Sequence, residues 1–204
     1  ESLDAESLLG AEAGAEVSAS GLTLRATGFW NELEQPITNV TLATPLPDGA
    51  RRQRQNLGRA RVRGVELGVD WRFARRWTAL VAYTLADSAV TEAPGNPDLL
   101  GKQLPQDPVH RATALLSFHD PTLFTATAQA RWVGPQFEDD LNQLPLGGAV
   151  VVDVSASRRV LGNLELFAMI ENLLGRRYLV GRAGIDTLGQ PFTVLGGVRL
   201  REGP

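Results

Sequence analysis

No cysteine occurs among the 204 residues, which excludes disulfide scaffolds, thiolate metal centres and cysteine nucleophiles together. No apolar run approaches the ~20 residues that a membrane-spanning helix needs, and residues 1–20 hold neither the basic segment nor the apolar stretch of a secretory leader. An excess of one charge is also missing, with 20 basic residues against 23 acidic, net −3. The one basic run is Arg51-Arg52-Gln53-Arg54, without the aromatic-interleaved basic face of a nucleic-acid binder. No Ser, His and Asp fall at a spacing that suggests a catalytic set. His110 and His119 flank one strand at opposite ends, too far apart to share a metal, and both read as surface residues. Either the chain is soluble or it crosses a membrane as strands.

What is abundant is turn chemistry and alternation. The 21 glycines and 12 prolines punctuate short runs of period two, the pattern of an all-β chain. Residues 1–10 are compatible with a helix by composition, and a first strand is expected at Glu12 to Ser18. Leu22 to Trp30 sets Leu22, Leu24, Ala26, Gly28 and Trp30 on one face, with Thr23, Arg25, Thr27 and Asn31 on the other. This strand is expected to run on irregularly through Pro36 to about Val40, before a long polar loop that includes the arginine run. Gly58 to Phe73 sets Val65, Leu67, Val69, Trp71 and Phe73 against Glu66, Asp70 and Arg72. Further strands are expected at Trp77 to Val90, His110 to Phe118, Leu123 to Val133, Val150 to Ser157, from Leu164 to about Ile170, and at Thr193 to Leu200. In the sixth of the nine, Phe124, Ala126, Ala128, Ala130 and Trp132 oppose Thr125, Thr127, Gln129 and Arg131.

The nine connected strands alternate short turns with long loops. Transmembrane barrels have this asymmetry, with short periplasmic turns and long extracellular loops, and sandwiches do not. Phe73 and Trp77 bracket one short turn and Phe118 and Phe124 another, which places aromatics at one depth, as in an interfacial girdle. A single-chain bacterial barrel has an even strand count, and an open edge in lipid leaves backbone groups without partners. Nine strands therefore imply a piece of a larger barrel, with Glu1 at the extracellular end.

Several stretches carry a family resemblance, in order. Glu6-Ser-Leu-Leu-Gly-Ala-Glu12, Gly28-Phe-Trp-Asn-Glu-Leu33 with Ile37-Thr-Asn-Val40, Gly101-Lys-Gln-Leu-Pro-Gln-Asp-Pro-Val-His-Arg111, and Asn172-Leu-Leu-Gly-Arg-Arg-Tyr178 before the last strand resemble the TonB-dependent outer-membrane receptors. The sharpest match is Asn56-Leu-Gly-Arg-Ala-Arg-Val-Arg-Gly-Val-Glu-Leu67, which follows the family's Asn-x-Gly-x-x-x-x-x-Gly-x-Glu. The resemblance implies the C-terminal part of an outer-membrane barrel, residues 1–204, without the plug domain and TonB box that lie N-terminal in the family. It departs at the end, where Val198-Arg-Leu200 precedes Arg201-Glu-Gly-Pro204 without a terminal aromatic.

The implied function is TonB-energised uptake of a scarce nutrient such as a ferric siderophore or cobalamin. The implied partners are outer-membrane lipid, the plug and remaining strands of the same chain, TonB and a small-molecule ligand. Candidate lumen residues are Glu66, Asp70, Arg72 and Arg131, which line a passage or contact a plug, or more simply pair with one another. Glu138, Asp139 and Asp140 are candidates for ligand or cation contact in an extracellular loop, against the simpler reading of a solvated acidic face. No catalytic, metal or cofactor residue is assigned. The alternatives are a passive or structural barrel, and a soluble carbohydrate-binding or hydrolytic module using the carboxylates at 138–140.

Overall fold

The computed structural model describes residues 3–42 and 44–200; the expectations for Glu1 and for Arg201 to Pro204 lie outside them. Nine long strands form one antiparallel sheet: β1 (Ser7–Ala19), β2 (Leu22–Glu34), β5 (Arg59–Ala74), β6 (Trp77–Glu92), β7 (His110–His119), β8 (Thr125–Val133), β11 (Ala149–Leu161), β12 (Leu164–Glu171) and β15 (Thr193–Leu200), neighbouring in that order. Every sheet neighbour is also the next long strand in the chain, so the sheet is a simple meander with β1 and β15 as its edges. The remaining strands are short and pair as β3 (Ile37–Thr41) with β4 (Arg52–Asn56), β9 (Gln136–Phe137) with β10 (Pro145–Leu146), and β13 (Leu179–Gly181) with β14 (Thr187–Leu188).

Register shows why the alternation matters. Directly paired residues point to the same face, and the pairs Val17 with Leu24, Leu24 with Val69, Val69 with Val81, and Val81 with Ala114 carry one apolar row across five strands. The row below Ala114 continues as Leu116 with Ala128, Ala128 with Val154, Val154 with Ile170, and Ile170 with Val194. These side chains are not buried. Leu67, Trp71, Leu116, Val194 and Val198 are all exposed, Val198 by 60 %. Among the described residues the cluster of buried hydrophobics, Val40, Leu57, Val90 and Leu99, sits instead where the end of β6 meets the long loops. A water-soluble monomer rarely shows an apolar face of this extent. The sheet is built inside out, with its apolar side chains on an exposed face, as in the wall of a membrane barrel.

The short connections all lie at one rim. Ser20 and Gly21, with φ of 51° and 82°, make a two-residue turn of the kind that needs both central residues in the left-handed region. Arg75-Arg76, Asp120 to Phe124 and Gly162-Asn163 make the others. At this rim Trp71, Phe73, Trp77, Phe118 and Phe124 form an unbroken chain of ring contacts with centroids 4.9 to 6.2 Å apart. The expected girdle is thus continuous. A second aromatic ladder, stacked Tyr83, His110 and Trp132, stands on the same face toward the long loops. His110 is therefore half-buried between rings and bonded to the Tyr83 hydroxyl at 2.8 Å rather than a free surface residue. His119 is exposed, with Nδ1 2.8 Å from Thr125 Oγ1.

Asp120 locks the third short turn. Its Oδ1 accepts from the Thr122 hydroxyl at 2.7 Å, Thr122 N–H at 2.8 Å and Leu123 N–H at 3.2 Å, and Arg76 Nη1 lies 2.8 Å from Oδ2. The Thr122 hydroxyl first, then the two N–H groups and Arg76, hold its carboxyl below the ordinary 3.8 against the opposing effect of burial. A carboxyl lowered in the folded state contributes stability above its ordinary value and loses it as pH falls through the folded one. Asp120→Asn is therefore expected to unfold at lower temperature than the parent at pH 7, with the gap closing below pH 3.8; a gap that persists unchanged in acid would show that the charge is not involved.

Two glycines of the motif at 56–66 have steric reasons. A Cβ on Gly64 would stand 1.9 Å from Leu85 O and 2.8 Å from the tip of the Phe29 ring, and one on Gly58 would stand 2.7 Å from both Glu92 O and Pro94. Phe29 lies on the otherwise polar face because it covers Gly64, its cross-strand partner. Phe167 covers its own partner Gly197 in the same manner. Gly68, four residues on, meets nothing closer than 3.6 Å. Gly64→Ala is expected to cost about 1–3 kcal/mol by overpacking, and Gly68→Ala to stay within about 0.5 kcal/mol. Urea midpoints of the two variants decide it.

The structure corrects several boundaries. β1 begins at Ser7, so residues 7–10 of the helix-compatible start are strand, and residues 3–6 have no regular structure. The strand expected to run to Val40 breaks at Gln35, which turns with φ of 52°; β3 then leaves the sheet and pairs with β4, so the arginine run is a ribbon strand. β8 starts at Thr125 because Leu123 and Phe124 close the preceding turn through bonds to Asp120. β11 runs on to Leu161 past an irregularity between Arg159 and Leu161.

Candidate functional site

The four long loops, residues 35–58, 93–109, 134–148 and 172–192, are bonded into one cap. Asp140 reaches 99 residues back to Thr41, with Oδ2 accepting from its N–H at 2.7 Å and Oδ1 from its hydroxyl at 2.6 Å. Gln103 N–H donates to Asn142 Oδ1 at 2.8 Å, and Asn142 Nδ2 donates to Gln103 O at 2.9 Å. Arg182 Nη1 donates to Pro145 O at 3.4 Å. Thr38, Asn39, Arg52, Gln106, Glu138 and Ala183, one or more from every loop, line a polar pocket of about 280 Å³.

The acidic run divides into different roles here. Asp139 is 5 % exposed, and its carboxylate accepts Gln143 N–H at 2.9 Å and Leu144 N–H at 2.6 Å, folding its own loop. Asp140 is 6 % exposed and holds β3. The solvated acidic face is thus corrected: both carboxylates are buried and take N–H and O–H donors from the loops, and both also line the polar pocket. Glu138 is half-buried and accepts from Gln106 Nε2 at 2.9 Å. Among the described residues no group of three or more His, Cys, Asp or Glu is arranged to hold a metal.

On the polar face of the sheet, Arg131 pairs with Asp153 at 2.8 Å. Glu66, Asp70 and Arg72 form no ion pair among the described residues, so the mutual pairing expected of these four does not form. Glu66 lies in a polar groove with Glu12, Thr27 and Asn31. Below the cap a network runs from Arg131 through Asp153, whose Oδ1 accepts Asn172 N–H at 2.8 Å. Asn172, 1 % exposed, donates from Nδ2 to Arg176 O at 2.9 Å and Gln190 O at 2.8 Å, and its Oδ1 accepts Arg176 N–H at 2.9 Å. Its side chain closes both ends of the last long loop. Gln190 Nε2 in turn donates to Glu171. Sequence reasoning passed over Asp153, although a single acid within Val150-Val-Val-Asp-Val154 is a visible signal. Asn172 stands out in the sequence only through the motif Asn172-Leu-Leu-Gly-Arg-Arg-Tyr178.

An apolar outer wall, a polar inner wall and a bonded cap of long loops define one wall of an outer-membrane barrel. The model of the TonB dependent receptor-like β-barrel matches residues 1–173, and the chain belongs to that family. The family resides in bacterial outer membranes, so the short-turn rim is periplasmic and the loop cap extracellular. The pesticin receptor of Yersinia pestis is 27% identical over 184 residues, 85% of this chain and 25% of the relative. Among solved structures, the ferric yersiniabactin uptake receptor of Yersinia pestis superposes with TM-score 0.78 at 22% identity, over 96% of this chain and 30% of that one. The siderophore receptor PiuA of Acinetobacter baumannii gives 0.74 at 23%, over 96% and 28%. The chain thus spans about a quarter to a third of the length of these relatives. The expected fold, a nine-stranded part of an antiparallel outer-membrane barrel, is the one observed.

Proposed function

We propose that the protein carrying this chain takes up a scarce, bulky nutrient across the outer membrane, a ferric siderophore or a compound of similar size such as cobalamin, with energy supplied through TonB. The observation that carries this reading is the cap: four extracellular loops bonded to one another around a polar pocket, in a chain of this family. A general diffusion pore has no need to tie its loops together around a shared recess. At about 280 Å³ the pocket is at the lower end of ligand-site volumes, so it serves as one part of a larger vestibule. Arg52, Gln106 and Glu138 offer a cation, an amide and a carboxylate there. Glu138 contacts ligand, while Asp139 and Asp140 act by holding its loop in place.

On the inner wall, Glu66, Asp70, Arg72 and Arg131 line the passage and face the plug of the same chain. The chemistry is binding and passage, with no covalent step. The test uses the full-length receptor in iron-starved cells, with radioactive iron supplied on a panel of siderophores and uptake compared with and without TonB. Saturable uptake of one or a few complexes that disappears without TonB is expected. Equal, unsaturable entry of unrelated small solutes with TonB absent would establish a passive barrel instead.

A further inference from the structure

The lipid face is not uniformly smooth. Near the periplasmic rim it holds an almost wholly apolar groove of about 570 Å³. Its floor is a registered row of small side chains, Ala126 beside Ala156 and Ala156 beside Ala168. Phe118 and Phe124 wall it on one side and Ile170 on the other. In the neighbouring row Leu116, Val154 and Ile170 flank Ala128, which extends the recess.

The groove has a charged end. Arg158 lies two residues beyond Ala156 on the same face, about 7 Å further toward the rim by strand geometry. It pairs across β12 with Leu166, and on the other side Ser157 pairs with Thr125, which sets Arg158 next to Phe124. Among the described residues Arg158 has no hydrogen bond or ion pair. The nearby acids are taken: Asp120 faces Arg76 at 2.8 Å, and Glu165 lies on the opposite face, 3.7 Å from Arg199. Arg75, in the turn before Trp77, is likewise without an acidic partner, so this stretch of rim carries uncompensated positive charge at headgroup depth.

We propose that the groove binds one anionic phospholipid of the periplasmic leaflet, with an acyl chain over Ala126, Ala156 and Ala168 and its phosphate on Arg158. A recess in a lipid-facing wall is filled by whatever lipid is present, and the unpaired guanidinium beside it selects one whose net charge is negative. This goes beyond the uptake reading and rests only on the placement of the sheet in the outer membrane.

The test is native mass spectrometry of the full-length receptor in detergent, with dioleoylphosphatidylglycerol or dioleoylphosphatidylcholine added at equal concentration. The parent is expected to retain the anionic lipid about fivefold better, the effect of one basic residue at the surface. Arg158→Gln is expected to abolish the preference, and Ala156→Leu, which fills the floor, to reduce retention of both lipids. Free glycerol phosphate is expected not to compete. Equal retention of the two lipids by the parent, a preference undiminished in Arg158→Gln, or displacement by glycerol phosphate would each overturn the proposal. Heat-modifiable migration, run on each variant, reports barrel integrity separately. A folded barrel without lipid preference sinks the groove and leaves the membrane placement standing, whereas a receptor extracted without detergent sinks both.

Discussion

Placing arginine at Ala128 is expected to deplete the full-length receptor from the outer membrane, while arginine at Thr127 leaves its level near that of the parent. The two residues are neighbours with similar backbones, and the sheet decides between them. Ala128 lies between Leu116 and Val154 on the lipid face. It is midway along the strand between Phe124 and Trp132, a span of about 26 Å, or about 20 Å of depth at a tilt near 40°. A charge at that depth costs about 2–4 kcal/mol in an outer-membrane barrel. Thr127 points the other way, between Ser117 and Ser155, with its hydroxyl 3.5 Å from that of Ser117. There a long cation extends into the wet interior. Quantifying heat-modifiable receptor in outer-membrane fractions tests this, and similar depletion by both substitutions would reverse the assignment of the faces.

Asn172→Ala is expected to cost about 2–4 kcal/mol, from several buried hydrogen bonds at roughly 1 kcal/mol each with added desolvation of the partners left behind. Its backbone sits at φ 49°, a left-handed position that asparagine tolerates better than alanine. Asn172→Gly relieves the backbone and still loses the side chain, so it is expected to recover only the smaller part. Because the amide holds Arg176 O and Gln190 O together, the loop at 172–192 is expected to be cleaved by protease faster in both variants than in the parent. Unfolding midpoints within about 0.5 kcal/mol of the parent, with unchanged proteolysis, would show that the loop is held elsewhere.

The candidate site was legible in unequal parts. Arg131 was placed on the polar face from its alternation with Ala130 and Trp132, and it stands there, yet its partner Asp153 lies on the next strand and was not identified. Glu138 to Asp140 were recognised as a loop feature, but Asp139 turns inward to its own loop and Asp140 to Thr41. A run of three acids looks alike in sequence whether it is solvated or capped, since the donors that cover it come from elsewhere. Phe29 stands on the polar wall because Gly64, its partner on the next strand, lies beneath its ring.

The sequence by itself determined the nine strands, their lipid and lumen faces, and the two rims. The physical reason is local: a side-chain period of two and the chemistry of turns are properties of a few neighbouring residues. Only the tertiary structure decided that the long loops carry ribbons and close into a cap, which carboxylates are buried, why Gly58 and Gly64 admit no side chain, and where a recess opens on the lipid face. Each of these depends on groups brought together from distant parts of the chain, as with the 99 residues between Thr41 and Asp140.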